Sequence, residues 1–373
     1  MKAKQLSSFG KQLLRNFAAM IYYASGKRKT IHKGSVVILM YHRVLPKSFL
    51  EKNLVLPGMY VERKTFEVQM AFLRRIYDII SIDEFIRRFE SKEWDLNKQY
   101  CIITFDDGWW DNFEYAFPIL KKYGLPATVS LPTCYIGSHK MFWYENLAYF
   151  LRQCENSGTT VIAKKRLNKA TEELGLNVIS LSRILKARRK SDKLILFDLL
   201  VEEMKKFLPE HIEKFLSTLE DILEMHPQNE RQFLNWEEVK EMSTVGISFG
   251  SHGCTHRILT YIPLTESRSE IFNSMETLAK EGIRFAPVFC YPNGNSNPNI
   301  TRLVMEAGYK MSLSTRNGVV PLHKKKLFEL NRIGIHNDMT SSKSLLSLRL
   351  SGLLIQPWRR FFPRSIECPK LDI

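Results

Sequence analysis

Two short strings of the sequence carry side chains that commonly bind metals. Asp106 and Asp107 stand side by side before Gly108, and His252 and His256 are separated by three residues. Imidazole and carboxylate groups suit zinc and similar divalent first-row metals. Asp107 and the two histidines would supply three ligands and leave one position open for water, which is the mark of a catalytic metal site. These residues therefore predict a metal-dependent hydrolase.

Each string also has a purely structural interpretation. Asp and Gly are the commonest turn residues, so Asp106, Asp107 and Gly108 taken alone favour an ordinary turn. The two histidines could be surface side chains that follow a buried strand, and their spacing would place them on one face of a helical turn. Two adjacent aspartates repel each other, however, and a cation or a shared proton is needed to relieve that repulsion.

The apolar run Cys101–Phe105 predicts a strand that ends immediately before the two aspartates. Strand and helix patterns alternate along much of the chain, as they do in an α/β barrel. A single barrel also fits a length of 373 residues. Catalytic groups collect at the C-terminal ends of barrel strands. The predicted strands are Val36–Tyr41, Cys101–Phe105, Ala127–Leu131, Ile247–Gly250, Val288–Tyr291 and Lys310–Ser314, and the predicted helices are Phe66–Ile76, Asn112–Lys122, Trp236–Met242, Glu266–Glu281 and Asn299–Ala307.

At these motifs the chain resembles the polysaccharide deacetylases of carbohydrate esterase family 4, also called the NodB-homology family. The resemblance extends over residues 36–335 and implies an α/β protein with a distorted (β/α)7-type barrel that removes acyl groups from amino sugars. The stretches that carry it are Met40–Val44, Thr104–Gly108, Asp111–Phe113, Ala116–Leu120, Tyr123–Thr128, Ser251–His256 and Tyr291–Gly294.

The resemblance also implies a role for each residue of the two strings. Asp106 would be the general base, and Asp107, His252 and His256 would hold a divalent metal, most simply zinc, with cobalt, nickel or manganese as alternatives. Such a metal lowers the pKa of its bound water to about 7 and polarises the acyl carbonyl, so that the water can attack while the base takes its proton. A backbone N–H in the turn at Asn293–Gly294 could stabilise the oxyanion.

Two further catalytic roles are assigned less directly. An acid must protonate the departing amine. His336, which follows the predicted strand Leu330–Ile335, is the first candidate, His42 is the second, and either could be an ordinary loop histidine. The family arginine that orients the base is missing from the third motif. Arg332 could replace it from a neighbouring strand, because a guanidinium offers a bidentate fork to a carboxylate.

The candidate substrate-binding residues surround the same edge of the barrel. Trp109 directly follows the Asp-Asp-Gly turn, so the turn fixes its distance from Asp107. Aromatic clusters are nevertheless more often core than sugar platforms. The third motif lacks the family tyrosine at the matching place, and no Asp-Trp motif is found near Ser314–Asn317. The chain therefore departs from the family pattern in its substrate pocket and not in its metal ligands. The complete candidate set is His42, Trp109, Tyr291, Pro292, Asn293 and Gly294.

Three regions are predicted in the chain. Residues 1–35 form a basic amphipathic segment, residues 36–340 form the barrel with a helical insertion at 138–232, and residues 341–373 form a basic tail. Phe9–Tyr23, followed by Lys27, Arg28 and Lys29, suits a helix that lies in a membrane interface. This stretch is too short and too interrupted to span a bilayer. The basic and aromatic residues Trp358–Phe362 could contact a membrane or pack on the barrel.

The six cysteines show no paired spacing and predict no disulfide framework, which favours a reducing compartment. No secretory signal is evident, so we expect a cytoplasmic protein that is peripheral on the inner face of the membrane if its ends bind lipid. The formal net charge of +16 calls for an acidic partner. No nucleic-acid-binding module is recognised, so nucleic acid is not expected and an anionic membrane surface is.

The sequence therefore predicts a metal-dependent hydrolase that removes an N-acyl group, most simply acetyl, from an amino sugar. The expected substrate is a cell-surface polysaccharide or its lipid-linked precursor. Two alternatives stay open. A deformylase of a lipid-linked aminosugar would need the same site and a tighter acyl pocket. A catalytically inactive, membrane-associated carbohydrate-binding protein is favoured by the altered third motif and opposed by the intact set of metal ligands.

Overall fold

The strands of this chain are the elements that bring the candidate residues together. The computed structural model describes residues 8–156, 169, 181–224, 230–323 and 326–353. The strands of the described residues are β1 (Ser35–Tyr41), β2 (Arg43–Leu45), β3 (Tyr60–Glu62), β4 (Asp78–Ile79), β5 (Tyr100–Phe105), β6 (Ala127–Leu131), β7 (Ile247–Ser251), β8 (Phe285–Cys290), β9 (Met311–Asn317), β10 (Val320–Pro321) and β11 (Leu330–Gly334).

Seven of these strands form a closed parallel barrel in the order β1, β11, β9, β8, β7, β6, β5. The ring closes where β5 pairs with β1, in a register that runs from Val36 opposite Tyr100 to Tyr41 opposite Phe105. Strand β10 adds to β1 in the antiparallel direction, β4 adds to β5, and β2 and β3 pair separately. The predicted (β/α)7-type barrel is therefore confirmed.

Helices surround the barrel, and four of the five predicted ones begin and end within three residues of those observed. The fifth, Asn112–Lys122, is divided into a π-helical turn at Asn112–Ala116 and an α-helix that begins at Phe117. Ser81, Asn235 and Asn297 each precede a helix and cap it. Their side-chain oxygens accept hydrogen bonds from backbone N–H groups of the first turn. The helices are α1 (Ser8–Ala24), α2 (Lys47–Lys52), α3 (Arg63–Leu73), α4 (Ile82–Ser91), α5 (Phe117–Tyr123), α6 (Trp143–Asn156), α7 (Leu181–Lys186), α8 (Lys190–Met204), α9 (Pro209–Leu223), α10 (Trp236–Ser243), α11 (Leu264–Lys280), α12 (Pro298–Glu306), α13 (Asn337–Thr340) and α14 (Lys343–Leu350).

The barrel strands are buried on both faces. Every residue of β5 is buried, and the strand accordingly reads as a continuous apolar run without polar alternation. Val36, Ile102 and Leu313 pack in one cluster with Ile82 and Phe85 of α4. Several of the strand residues in this cluster lie in the first half of their strands. Helix α4 therefore packs at the N-terminal end of the barrel, and the C-terminal ends of the strands stay available for the candidate active site.

Helices α6 to α9 lie in the segment between β6 and β7, in the region where the sequence predicts a helical insertion. At the N-terminal side, α1 packs on α14 through a small buried cluster of Ala19, Tyr22, Leu345 and Leu348. The three regional boundaries stay a prediction, and Trp358–Phe362 lies outside the described residues. Among the described helices, none combines the length and the apolar character needed to cross a membrane.

Candidate active site

The candidate residues meet because parallel strands end at one edge of the barrel. Asp106 and Asp107 directly follow β5, His252 directly follows β7, and the long side chain of Arg332 extends from the middle of β11. The turn after β5 is tight: Asp107 and Gly108 have φ angles of 76° and 64°. Substitution of Gly108 is also sterically hindered, because an added Cβ would lie 2.7 Å from a methyl group of the Leu131 side chain.

Asp107, His252 and His256 form a compact cluster. Asp107 Oδ1 lies 3.4 Å from His252 Nε2 and 3.2 Å from His256 Nε2. The three possible ligand atoms all lie within 4.8 Å of one another. Asp107 and His252 are buried, whereas His256 is partly exposed. One carboxylate oxygen and two imidazole nitrogens in such a cluster fit a divalent first-row metal.

Two neighbouring groups orient these ligands. His252 Nδ1 lies 2.7 Å from the carbonyl oxygen of Cys290, to which it can donate, and this contact turns Nε2 towards Asp107. Trp109 Nε1 donates to Asp107 Oδ2 over 2.9 Å, which leaves Oδ1 facing the histidines. Metal-binding histidines and carboxylates commonly have such partners, which fix the tautomer and the direction of the ligand atom.

The electrostatics of the cluster keep Asp107 ionised. Burial acts to raise the pKa of Asp107, but the hydrogen bonds from His252 and His256 hold it well below its ordinary value. Burial lowers the pKa of His256. For His252, burial acts to lower the pKa, and the hydrogen bond to Asp107 raises it above the ordinary value. The Asp107 carboxylate is thus in the ionised form that can bind a metal. Asp107 also favours protonation of His252, and a metal bound to His252 would displace that proton.

Asp106 and Arg332 form a buried ion pair beside this cluster. The two terminal nitrogens of Arg332 donate to the two carboxylate oxygens of Asp106 over 2.8 and 2.6 Å. Arg332 also donates to the carbonyl oxygen of Ser314 and to the hydroxyl of Thr104, over 3.0 and 3.2 Å. Burial acts to raise the pKa of Asp106, but the charge of Arg332 helps to hold it below its ordinary value. Arg332 thus makes the bidentate contact with the carboxylate of Asp106 that the sequence suggested, and its replacement of the family arginine stays a prediction.

The segment from His252 to His256 is a loop, so the helical-turn interpretation of this spacing is wrong. His256 has a φ angle of 59°, and the two imidazole rings lie 4.8 Å apart between centroids. The backbone N–H groups of Cys254 and Thr255 each donate to a carboxylate oxygen of Glu270 over 2.8 Å. Glu270 lies on α11, so this helix fixes the shape of the loop.

Trp109 and Tyr291 differ from the expectation that their side chains contact substrate. Both are completely buried. Trp109 stacks on Phe233 with 4.9 Å between ring centroids, and its indole N–H is directed at Asp107. Tyr291 packs against α12, where its hydroxyl donates to Thr301 over 3.2 Å. The first ring therefore supports a candidate metal ligand, and the second belongs to the core.

The turn after β8 contains the other candidate substrate contacts, Pro292, Asn293 and Gly294. The Gly294 N–H donates to the Tyr291 carbonyl oxygen over 2.8 Å, which leaves the Asn293 N–H as the candidate for an oxyanion. Asn293 has a φ angle of 57°, and its side-chain oxygen accepts from Lys205 over 3.2 Å. Because Lys205 follows α8, the helical insertion reaches this turn.

The two candidate acids follow neighbouring strands. Strands β1 and β11 pair with Met40 opposite Gly334, so His42 and His336 leave the barrel side by side. Burial lowers the pKa of His42, although the charges of the two aspartates act in the opposite direction. His336 is less enclosed, and its Nδ1 lies 2.6 Å from Asp338 Oδ1, to which it can donate.

A second buried ion pair was not predicted from the sequence. Arg43 Nε donates to Asp111 Oδ2 over 2.8 Å, and the Val44 N–H donates to the other oxygen over the same distance. The guanidinium carbon of Arg43 lies 4.2 Å from the centroid of the Trp109 ring. This network supports the indole that bonds Asp107. The sequence could have indicated this ion pair through two of its motifs. Met40–Val44 contains Arg43, and Asp111–Phe113 contains Asp111.

The start of the insertion also contacts the cluster. The ring centroid of Phe142 lies 4.5 Å from that of His256 and 5.4 Å from that of Trp109. Glu145, in the first turn of α6, lies 3.8 Å from Arg43. Phe142 is itself buried and forms part of the wall behind the candidate metal ligands.

Comparison with known proteins identifies the family. Residues 94–170 and 209–312 match the family model described as polysaccharide deacetylase. A putative polysaccharide deacetylase of Bacillus subtilis, YxkH, is 32% identical over 322 residues, which cover 84% of this chain and 76% of the relative. The chain therefore belongs to the polysaccharide deacetylase family. A poly-beta-1,6-N-acetyl-D-glucosamine N-deacetylase of Staphylococcus epidermidis is 27% identical over 60% of this chain and 74% of its own length.

Solved structures agree with the fold. The Streptococcus pyogenes deacetylase PplD matches 84% of this chain and 96% of its own with a TM-score of 0.51 and 20% identity. IcaB from Ammonifex degensii matches 85% of this chain and 97% of its own with a TM-score of 0.52 and 16% identity. At these identities the comparison supports the barrel architecture.

Substitution Trp109→Phe tests the support of Asp107. Phenylalanine keeps the aromatic contact with Phe233 but removes the N–H that donates to Asp107 Oδ2. We expect the affinity for zinc, measured by calorimetric titration of the metal-free protein, to fall by about 10–100-fold. Trp110→Phe is the matched control, because Trp110 contacts Tyr115 instead, and should leave the affinity unchanged. Equal affinities of Trp109→Phe and the wild type would contradict this assignment.

Proposed function

We propose that this protein is a metal-dependent N-deacetylase acting on an amino sugar of a polysaccharide. The observation that carries the proposal is the cluster of Asp107, His252 and His256 beside the ion pair of Asp106 and Arg332. Membership in the polysaccharide deacetylase family supports hydrolysis of an acyl group. The relative from S. epidermidis, whose name specifies poly-beta-1,6-N-acetyl-D-glucosamine, supports an N-acetyl amino sugar as the substrate class.

The cluster suits zinc or a similar divalent ion. Asp107 Oδ1 and the Nε2 atoms of His252 and His256 would hold it. When bound, such an ion supplies Lewis-acid chemistry, in that it polarises the acyl carbonyl and makes water a usable nucleophile at neutral pH. The indole of Trp109 and the carbonyl of Cys290 orient two of these ligands, Asp107 and His252.

Asp106 is proposed as the general base. Arg332 occupies both of its oxygens, yet each carboxylate oxygen has a second lone pair that can accept a proton from water. Because Arg332 lowers the pKa of Asp106, the carboxylate is ionised at neutral pH and ready to act. The low pKa makes Asp106 a weaker base, so the water that it deprotonates must itself be activated.

His336 is proposed as the general acid. Its Nδ1 lies 2.6 Å from Asp338 Oδ1, and this contact holds the ring so that Nε2 is the nitrogen left to donate to a leaving amine. His42 is the weaker candidate because burial lowers its pKa and favours the neutral form, which has no proton to spare for a leaving amine. His42 would then shape the wall of the site.

The substrate and its location are part of the same proposal. We propose a cell-surface polysaccharide or its lipid-linked precursor, met at the inner face of a membrane. Cys101, Cys134, Cys254 and Cys290 are thiols rather than disulfides in the part of the chain that the structure describes, which supports a reducing compartment. Release of acetate against release of formate from matched substrates would separate deacetylation from the deformylase alternative.

The two aspartates should fail in different ways. We expect Asp107→Ala to lose metal and activity together, because it removes the shared ligand oxygen. Asp106→Asn should keep the metal and lower kcat by about 10²–10⁴-fold, because an amide cannot accept the proton. Metal content by mass spectrometry and acetate release from N-acetylglucosamine oligomers would measure both effects. Normal turnover by Asp106→Asn would exclude the base assignment, and release of neither acetate nor formate by wild type with its metal bound would favour the inactive carbohydrate-binding alternative.

The ion pair of Asp106 and Arg332 predicts a pH effect. Activity requires ionised Asp106, so it is lost as the pH falls through the pKa of this carboxyl, and Arg332 places that loss at a lower pH than usual. In Arg332→Lys the bidentate contact is gone, the pKa should rise, and the acid limb of the kcat/KM profile should move to higher pH. Lys310→Arg, at an exposed site, is the control. An unmoved acid limb would contradict the pairing as the cause.

The acid assignment is tested by comparing two histidines. His336→Gln should retain the metal and lower kcat by about 10²–10⁴-fold, because glutamine cannot protonate the leaving amine. His42→Gln should cause a smaller loss. A substrate with a better leaving group needs less help from an acid, so it should restore activity to the His336 variant in particular. A larger loss in His42→Gln, with restoration by that substrate, would reverse the two roles.

A further inference from the structure

Helix α1 packs on the rest of the protein through one narrow face. Ala19 and Tyr22 are buried against Leu345 and Leu348 of α14. Arg15, on the same side of the helix, donates to the carbonyl oxygen of Asp338 over 2.7 Å. These contacts fix which side of α1 points away from the protein.

The side that points away is apolar, which reverses the usual arrangement of a surface helix. Its large side chains are between 55% and 64% exposed. At about 100° per residue they fall within a stripe roughly 120° wide. We call this stripe the outer face of α1, and it consists of Leu13, Leu14, Phe17, Met20 and Ile21.

The positive charge of the chain is concentrated around this helix. Residues 1–50 contain ten Lys and Arg and no Asp or Glu, and residues 341–373 contain six basic and two acidic residues. Residues 51–340, by contrast, are nearly balanced, with 39 basic and 37 acidic residues. Within the described residues, α1 packs on α14, which carries the first two of these C-terminal basic residues, Lys343 and Arg349. Lys27, Lys29 and Lys33 follow the helix and are exposed.

We propose that the outer face of α1 docks on an anionic phospholipid surface. An exposed apolar stripe beside several basic side chains is the pattern of an interfacial helix, in which apolar burial and attraction to lipid head groups act together. A second copy of this chain fits less well, because pairing the two outer faces would bring two strongly positive segments together. The sequence that follows α14, which includes Trp358 and Arg359, has the same mixture of aromatic and basic residues.

Docking in this orientation would place the catalytic edge near the lipid. Arg15 contacts the backbone of Asp338, and the side chain of Asp338 pairs with His336. The membrane-facing helix therefore contacts the segment that also pairs with the candidate acid. Lipid docking does not rest on the proposed chemistry, but it favours a substrate that is held at the membrane over one that diffuses freely.

Flotation of the full chain with lipid vesicles tests the proposal. We expect the wild type to float with phosphatidylglycerol-containing vesicles, to float poorly with pure phosphatidylcholine vesicles, and to bind less as the salt concentration rises. The variant Leu13→Ser/Phe17→Ser/Ile21→Ser should lose at least tenfold in bound fraction. These side chains are exposed, so its thermal unfolding midpoint should match that of the wild type.

A control variant removes equally exposed apolar side chains elsewhere. Leu208→Ser/Leu264→Ser/Met305→Ser changes residues that are 52%, 45% and 55% exposed, and it should float like the wild type. Equal loss in both variants, or no flotation of the wild type, would overturn the proposal. So would flotation that appears only after deletion of residues 354–373, which would assign the outer face to the tail. A wild-type dimer that becomes a monomer in the α1 variant would assign it to a second copy.

Discussion

The buried pair of Asp106 and Arg332 is the interaction on which the site depends. Two charges enclosed by a barrel are stable only if each satisfies the other, and removal of one partner typically costs about 3–5 kcal/mol. Arg332 reaches Asp106 and Thr104 on the β5 side and Ser314 on β9. The contact therefore exists only when the ring of strands is closed between β5, β1, β11 and β9. The closed barrel holds Arg332 against Asp106, and the charge of Arg332 favours the ionised form of this candidate base.

The fold could be predicted because buried parallel strands leave a simple signal. Runs such as Cys101–Phe105 are apolar except for a single threonine, and the residues that follow them are the ones that collect at the barrel edge. The small elements β2, β3, β4 and β10 left no such signal, because two or three residues are too few to show a pattern. The proximity of Asp107, His252 and His256 followed from the motifs, whereas the loop conformation at His256 did not.

The side-chain environments were harder to predict, since they depend on distant parts of the chain. Trp109 is buried because Phe233 and Phe142 cover it, and neither contact is visible in the local sequence. Only the structure shows that the indole N–H of Trp109 donates to Asp107. The ion pair of Arg43 and Asp111 joins residues 68 positions apart and has the same origin. Motif recognition identified these stretches as important without revealing which atom each one supports.

The three candidate metal ligands differ in access to solvent, and this difference has a kinetic consequence. Asp107 and His252 are enclosed, whereas the His256 side chain is 20% exposed and lies on a loop. Of the three side chains that would hold an ion, His256 is therefore the one that solvent can reach, and its ring packs against Phe142. Exchange of an ion would depend on the freedom of this ring, and Phe142, at the start of the helical insertion, is the side chain that limits it. Trp109 would act instead on Asp107, so the two aromatic residues would support different ligands.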